Sequence, residues 1–142
     1  MGKMTKKLIF KEKIYTYQID FAGHVNNIVY LQWLENVRVK LLDKMGLPIF
    51  DLTEKYRIFP VLRKSEIHYR KPFFLNNTVK IEVWIAQLKN ASFELEFRLK
   101  NENDELCSSA SQTCLFVNRE TMRPIRFPEK FREAFSKLVV TK

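Results

Sequence analysis

The sequence IDFAGHVNNIVYLQWLE, residues 19–35, contains the signals that decide the fold of this chain. A β-type run ends at Asp20, a short bend containing Gly23 follows, and a helix rich in apolar side chains begins after Asn26. Asparagine is a preferred N-cap residue, and glycine accepts the left-handed backbone of a tight bend. The stretch therefore predicts a strand, a turn and the start of a long helix.

The predicted helix runs from Asn27 to Met45, where Gly46 and a following Leu-Pro pair stop it. At 1.5 Å per residue such a helix is about 28 Å long. Apolar side chains cover most of its circumference, which predicts a helix wrapped by other structure. They are Ile28, Tyr30, Leu31, Trp33, Leu34, Val37, Leu41, Leu42 and Met45.

One charged side chain, Arg38, falls inside this apolar arc, three residues after Glu35. Residues at this spacing are neighbours on a helix surface and can form an ion pair. Two interpretations stay open for Arg38: an ion pair that orients the helix, and direct contact with a substrate.

Strand-like alternation surrounds the helix on both sides. A strand is predicted from Lys11 to Asp20, and four more strands follow the helix, beginning with Phe59 to Tyr69. In that segment one face is predicted to contain Phe59, Val61, Arg63, Ser65, Ile67 and Tyr69. Short turns between the later strands make the sheet mainly antiparallel. We therefore expect an α+β fold with one domain over residues 1–142, in which the sheet wraps around the long helix.

Composition limits the class of protein. No run of 18 or more apolar residues exists, so a membrane span is not expected. The first ten residues, MGKMTKKLIF, are basic but have no long apolar segment, so secretion is not expected either. Cys107 and Cys114 are seven apart in one predicted strand, on opposite faces, which argues against a disulfide between them. A cytoplasmic protein with reduced cysteines is expected.

The net charge of +9 requires a partner hypothesis. No helix-turn-helix, RNP-type or zinc-finger pattern supports nucleic-acid binding. A cofactor or substrate carrying several phosphates would also be attracted by a basic surface. Candidate contacts are the cations near a strand end and near the last segment, which are Arg70, Lys71, Arg119, Arg123 and Arg126. The plainer interpretation of each one is a solvated surface cation.

The residues at the helix mouth suit acyl-transfer chemistry. Unpaired backbone amides and a partial positive charge at a helix N-terminus stabilise an oxyanion. Asp20 can act as base or nucleophile, His24 can orient a water or hold the acid, and Gly23 permits close approach of a ligand. The plainer interpretations are a turn acid for Asp20, a structural or exposed histidine, and an N-cap for Asn26.

The stretch DFAGHVNNIVYL, residues 20–31, with Glu35 and Arg38 downstream, resembles the hotdog-fold thioesterases of the 4-hydroxybenzoyl-CoA thioesterase family. Its GHVNN core is similar to that of the fatty-acyl branch, which includes plant acyl-carrier-protein thioesterases. The resemblance covers about residues 10–125. Three later segments carry it further: HYRKPFFLNNTVKIEVWI (68–85), NASFELEFRL (90–99) and FVNRETMRPIRFP (116–128).

The resemblance implies an acyl-CoA thioesterase with a single hotdog domain. Asp20 matches the catalytic aspartate, His24 the histidine of the fatty-acyl branch, and Asn27 the residue whose backbone amide polarises the thioester carbonyl. The expected substrate-binding residues are Gly23, Val25, Asn26, Tyr30, Arg70 and Lys71. No metal and no cofactor are expected, because coenzyme A is part of the substrate.

Family sites lie between protomers, which implies a homodimer or homotetramer. The plant branch has an amide residue where this chain has Ala22, and it carries two hotdog units in one chain. The Asp-x-Asn-Pro-x-His pattern of enoyl-CoA hydratases on the same fold is absent from this sequence. A non-catalytic acyl-CoA-binding sensor or assembly subunit is the alternative function. Pocket depth is expected to depend on Tyr30, Trp33, Phe59 and Tyr69.

Overall fold

A computed structural model of the chain describes residues 7–140. The strands are β1 (Leu8–Glu12), β2 (Ile58–Tyr69), β3 (Val79–Leu88), β4 (Ser92–Lys100) and β5 (Leu106–Asn118). The helices are α1 (Asn27–Lys44), α2 (Ile49–Glu54) and α3 (Glu129–Ser136). The strands form one antiparallel sheet in the order β1-β3-β4-β5-β2. Most of MGKMTKKLIF, on which the expectation about secretion rests, lies outside the described residues.

The sheet buries one face because large apolar side chains recur at every second position of its central strands β3 and β4. In β3 and β4 every second residue is buried and the residues between them are partly exposed. The buried set is Val79, Ile81, Val83, Ile85, Phe93, Leu95, Phe97 and Leu99. These side chains form one continuous core with the apolar face of α1, which confirms the expected fold of a sheet around one long helix.

α1 begins and ends where the sequence predicted, within one residue. Its N-cap is Asn26, and after the C-cap residue Met45 the chain turns at Gly46, which has a φ of +77°. The predicted wrapping of the helix is incomplete, because Ile28 is 65% exposed and Leu31 is 44% exposed. One flank of α1 is therefore left uncovered by this chain.

The first predicted strand is wrong over most of its length. β1 ends at Glu12, and residues 16–18 form a 3-10 turn instead of continuing the strand. The side chain of Gln18 stabilises this turn, because its Oε1 accepts the backbone N–H of Tyr15 at 2.8 Å. Ile14, which was predicted as a strand residue, is buried in the core. The short helix α2 was not predicted at all.

β2 is an edge strand and contains a bulge at Arg63. Before the bulge Leu62 lies opposite Cys114, and after it Ser65 lies opposite Gln112. Cys114 and Gln112 are both buried and therefore point toward α1. A bulge inserts one unpaired residue into a strand, so the alternation of faces restarts after it.

This bulge overturns the single face predicted for β2. Phe59 and Val61 precede the bulge and lie on the face opposite to Ser65, Ile67 and Tyr69, which follow it. Regular period-two alternation across the whole segment would have placed all of them together. The helix-facing residues of the second half of β2 are therefore Ser65, Ile67 and Tyr69.

The cysteines are free and buried, as predicted. Their predicted placement on opposite faces is modified by a shift in the register of β4 and β5 beside Cys107, which leaves both thiols inside. Burial raises the pKa of the Cys107 thiol, and it raises the pKa of Cys114 to about 11. Both side chains are therefore protonated, unreactive thiols at neutral pH.

Candidate active site

Asp20 lies at the entrance of a tight loop that is closed by a bridge between Ile19 and Val25. Its backbone N–H donates to the carbonyl oxygen of His24 at 2.8 Å, and its carbonyl oxygen accepts the N–H of Gly23 at 3.0 Å. Gly23 has a φ of +81°, a conformation that favours glycine. A Cβ atom at Gly23 would meet no heavy atom within 4 Å. The backbone conformation therefore accounts for the glycine.

The carboxylate of Asp20 is held by the main chain of this loop. Its Oδ1 accepts the backbone N–H of Ala22 at 2.9 Å and that of His24 at 3.2 Å. Within residues 7–140, its Oδ2 accepts no hydrogen bond. One carboxylate oxygen thus orients the group, and the other is available for chemistry.

His24 holds the acid through its backbone and not through its ring. The imidazole packs edge-on against Phe74, with 5.1 Å between the ring centroids. The sequence suggested that His24 orients a water or holds the acid. Its backbone N–H holds Asp20, so the ring is not needed for that role. The ring is left partly exposed beside the cavity described below.

The N-terminus of α1 follows this loop directly in the chain. Asn26 caps the helix, because its Oδ1 accepts the backbone N–H of Ile28 at 3.0 Å, and its own N–H donates to the carbonyl oxygen of Gln18 at 2.8 Å. Asn27 is the first helical residue, so its N–H has no acceptor within α1. The partial positive charge of the helix terminus is concentrated on such amides. Asn27 therefore offers a free backbone donor.

Tyr30 forms the inner wall of the site. Its ring is buried and contacts Tyr69 edge-on at 5.0 Å between centroids, with Trp33 and Phe73 on its other sides. Burial raises the pKa of Tyr30 to about 12, and a hydrogen bond with the backbone of Phe73 works in the opposite direction. The phenol is neutral at physiological pH, so it serves as a wall and a hydrogen-bonding group.

These elements surround a cavity of about 220 Å³, which we call the site cavity. Its lining residues come from the loop, the helix mouth and the end of β2, and they are Asp20, His24, Val25, Asn27, Tyr30, Tyr69, Arg70, Lys71 and Pro72. The predicted residues Gly23 and Asn26 do not line the cavity; they shape the loop and cap the helix behind it. Pro72 was missed because no local pattern distinguishes it.

The two cations at the cavity differ in their availability. Backbone N–H groups of Arg70 and Lys71 both donate to the carbonyl oxygen of Cys107, at 2.9 and 3.0 Å. The Lys71 ammonium forms an ion pair with Glu105, and this hydrogen bond raises the pKa of Lys71. In the described part of the chain, the guanidinium of Arg70 has no ion-pair partner. Arg70 is therefore the cation at this cavity that is free to meet an anionic ligand.

The other candidate cations lie elsewhere. The guanidinium of Arg119 donates to Glu54 at 2.6 Å and to the carbonyl oxygen of Thr53 at 2.9 Å, which ties the residue after β5 to α2. Neither Arg123 nor Arg126 lines the site cavity. Of the five candidate cations, only Arg70 and Lys71, which follow the end of β2, line the site cavity.

Among residues 7–140, no group of three or more His, Cys, Asp or Glu side chains is placed to hold a metal ion. No helix within the same residues has both the length and the apolar content needed to cross a membrane.

A sequence profile described as the thioesterase-like superfamily matches residues 14–135. The chain belongs to the thioesterase-like superfamily. The matched residues include every residue of the site cavity, and the resemblance to hotdog thioesterases inferred from the GHVNN stretch is confirmed. This superfamily membership also agrees with the prediction of a thioester hydrolase.

Relatives of this thioesterase-like protein match it over nearly its whole length. It is 26% identical over 129 residues to the acyl-CoA thioesterase YbgC of Haemophilus influenzae, covering 91% of this chain and 94% of the relative. It is 26% identical over 128 residues to the long-chain acyl-CoA thioesterase FadM of Escherichia coli, covering 89% and 96%. The structure of a DHNA-CoA thioesterase from Staphylococcus aureus superimposes with a TM-score of 0.86 at 23% identity, covering 95% of this chain and 97% of that one. This superposition shows the shared fold.

Proposed function

We propose that this thioesterase-like protein hydrolyses acyl-CoA thioesters to the free acid and coenzyme A. Asp20 acts as base or nucleophile, and the backbone N–H of Asn27 donates to the oxyanion. The observation that carries the proposal is the joint placement of these groups in one cavity, with the carboxylate held by a single oxygen. The names of the relatives YbgC and FadM support the same substrate class.

Thioester chemistry needs little beyond these two groups. A thiolate is a good leaving group, since the pKa of a free thiol is about 8.5, so no strong general acid is required. A donor that is fixed before the reaction stabilises the charge that develops on the carbonyl oxygen. The free Oδ2 of Asp20 then activates a water or attacks the carbonyl carbon directly. The ring of His24, at the same cavity, orients the water.

The phosphates of coenzyme A supply the anionic partner for the basic surface. Arg70 lines the site cavity without an ion-pair partner in residues 7–140, and Lys71 shares its charge with Glu105. We expect Arg70 to make the stronger phosphate contact, because a planar guanidinium donates two parallel hydrogen bonds to a phosphate.

We further propose that the enzyme acts as a homodimer or as a tetramer of such dimers. Ile28 and Leu31 lie exposed on the flank of α1, and β2 lies at the open edge of the sheet. Unpaired edge groups beside exposed apolar side chains favour association with a second copy. Light scattering at micromolar concentration should show a dimer or larger species. A strictly monomeric protein that still turns over would contradict this part of the proposal.

Release of free thiol from a panel of acyl-CoA substrates tests the activity. The panel contains short, medium and long aliphatic chains together with hydroxyaryl groups, and the protein is assayed under reducing conditions. Such conditions match the cytoplasmic setting that we propose on the basis of two free cysteines. Saturable hydrolysis of at least one member is expected. Tight binding of acyl-CoA with no turnover would contradict the proposal and favour a sensor.

A further inference from the structure

A second cavity lies farther along α1, about three turns from the helix mouth. It has a volume of about 60 Å³ and lies between the second half of α1, the start of β2 and the sheet. Its walls are apolar, among them Val39, Leu42, Ile49, Phe93, Leu95 and Phe135. The exceptions are Glu35 and Arg38, which form one polar corner. We call it the distal cavity.

The site cavity and the distal cavity lie on the same side of α1. Asn27, Leu31, Arg38 and Leu42 follow one another at spacings of four and seven residues, which keeps them on one stripe of a helix. Asn27 lines the site cavity, and Arg38 and Leu42 line the distal cavity. Leu31 lies between them and is 44% exposed. Leu31 therefore places an exposed apolar side chain on α1 between the two cavities.

We call the strip between the two cavities, with α1 on one side and β2 on the other, the seam. Tyr69 lines the site cavity at the end of the strand, and Pro60 lines the distal cavity near its beginning. Ile67 and Ser65 face α1 between them because of the bulge. β2 thus runs from the distal cavity to the site cavity while α1 runs the other way. Each of these two antiparallel elements therefore reaches from one cavity to the other.

A hydrogen-bonded cluster crosses the seam at its far end. The Arg38 guanidinium donates through Nη1 to Oε1 of Gln112 at 2.6 Å and pairs through Nη2 with Glu35. Nε2 of Gln112 donates to Oγ of Ser65 at 3.0 Å. A guanidinium has five N–H donors, so these two bonds leave Arg38 with further donor capacity beside an otherwise apolar cavity. The hydroxyl hydrogen of Ser65 is also not used by this cluster.

We propose that Arg38, supported by Gln112 and Ser65, recognises an uncharged oxygen at the far end of the acyl chain. This inference rests on the proposed function, because it places the thioester carbonyl at Asn27. The eleven residues from Asn27 to Arg38 span about 16 Å of helix. An extended chain advances about 1.25 Å per carbon, given bonds of about 1.5 Å and angles near 111°. The oxygen is therefore expected about twelve carbons from the thioester.

The polar corner selects an uncharged oxygen over a carboxylate. Glu35 already pairs with Arg38, so the corner carries no net charge. A carboxylate arriving there would meet the charge of Glu35 and would lose its hydration in an apolar cavity. A hydroxyl or ketone oxygen accepts a hydrogen bond from Arg38 without either cost.

Matched pairs of acyl-CoA compounds test this assignment. We compare dodecanoyl-CoA with 12-hydroxydodecanoyl-CoA, and octanoyl-CoA with 8-hydroxyoctanoyl-CoA, by kcat/KM. Affinities of the corresponding alkyl thioether analogues are measured by calorimetry, which requires no turnover. The hydroxyl should improve both quantities by about tenfold for the longer chain, the worth of one hydrogen bond to a charged donor. It should bring no gain for the shorter chain, which ends before Arg38.

Variants of Arg38 then identify the residue. Arg38→Met keeps an unbranched apolar stem and should abolish the preference for the 12-hydroxy compound, while Arg38→Lys should keep part of it. Lys40→Met removes a cation from the opposite side of α1, where Lys40 pairs with Glu12, and should leave the preference unchanged. Thermal unfolding verifies that each variant is folded.

The two proposals fail in different ways. Absence of hydrolysis for every compound would refute the thioesterase, and the thioether affinities would still test Arg38. Equal affinities for the two twelve-carbon thioether analogues would overturn the assignment of Arg38. Tighter binding of a third thioether analogue, which ends in a carboxylate in place of the 12-hydroxyl group, would overturn it too. A preference that survives in folded Arg38→Met protein would overturn it as well.

Discussion

Replacing Asp20 with asparagine removes one negative charge from the site cavity and changes little else. In the structure Oδ1 of Asp20 accepts two backbone N–H groups, from Ala22 and His24. The side-chain oxygen of asparagine can accept the same two bonds, because the two residues have nearly the same shape. The Asn variant should therefore keep the loop and lose only the reactive oxygen.

The loss of stability expected for Asp20→Asn is well separated in magnitude from the expected loss of catalytic rate. A hydrogen bond to a charged group contributes about 1.5–3 kcal/mol and a neutral one about 0.5–1.5 kcal/mol, so weakening two solvent-screened bonds costs about 1 kcal/mol. A domain with about 5–15 kcal/mol of stability remains folded after that loss. A positioned base contributes about 10² or more to the rate, which corresponds to at least about 2.7 kcal/mol. Loss of folded protein therefore cannot imitate loss of the base.

The assay follows thiol release under saturating acyl-CoA, with the affinity of the variant measured separately. We expect kcat of Asp20→Asn to fall by about 10² or more, with substrate affinity unchanged or improved, as for a group that acts in the transition state. Asp43→Asn is the matched control, since it removes the same charge from an exposed position near the far end of α1. It should retain full activity.

One result refutes the role of Asp20. If the carboxylate served only the turn, asparagine would replace it well, because both residues favour such turns. A folded Asp20→Asn protein that keeps more than about half of the wild-type rate would therefore exclude Asp20 as base or nucleophile.

Three other variants address the cysteines, the helix cap and the buried phenol. Replacing Cys107 and Cys114 together with alanine should leave kcat/KM within about tenfold, since neither lines the site cavity; a folded but inactive double variant would indicate a cysteine nucleophile. Asn26→Ala should lower the free energy of unfolding in urea by about 1 kcal/mol through loss of the cap, and Asn26→Ser should restore most of it. Burial raises the pKa of Tyr30 from 10.0 to about 12, so the folded state binds the phenol proton more tightly than the unfolded state. The contribution of this proton to the free energy of unfolding is complete below pH 10 and is lost as the pH rises toward 12. Tyr30→Phe should reduce the fall in unfolding free energy across that window, and an unchanged fall would contradict the burial of the phenol.

The helix and the central strands could be predicted because their signals are local. Asn26 and Gly46 mark the ends of α1 through cap and backbone preferences that do not depend on the rest of the chain. The alternation in β4 directly reflects one buried face. In such segments, propensity, period and burial agree, and the pattern is sufficient.

The features that were missed depend on contacts between distant segments. Ile14 belongs to a β-favouring run, yet it leaves the sheet because its side chain fills the core and Gln18 stabilises a turn. The bulge at Arg63 is set by pairing with β5 and has no signature in the sequence of β2. No glycine marks either event in the sequence.

The residues of the candidate site could be indicated from the sequence more easily than the contacts between them. One short segment, residues 20–30, supplies five of the residues that line the site cavity, so a local pattern could point to them. Sequence reasoning could not show that the backbone of Ala22 holds the carboxylate, since every residue carries an N–H group. It also did not link Gln112 with Arg38, which are 74 residues apart.

The bulge in β2 decides which side chains of this strand form the wall of the binding seam. If Arg63 were deleted, β2 would pair with β5 without interruption, and Ser65, Ile67 and Tyr69 would keep their partners and still face α1. If Arg63 were kept and the bulge were lost by a one-residue slip, Ser65, Ile67 and Tyr69 would turn toward solvent, while Glu66 and His68 would line the seam. Loss of the bulge would thus exchange the whole wall of the seam at once, whereas point substitutions change one position at a time. The gain or loss of such a bulge is therefore a route by which related chains can acquire different substrate preferences on an unchanged fold.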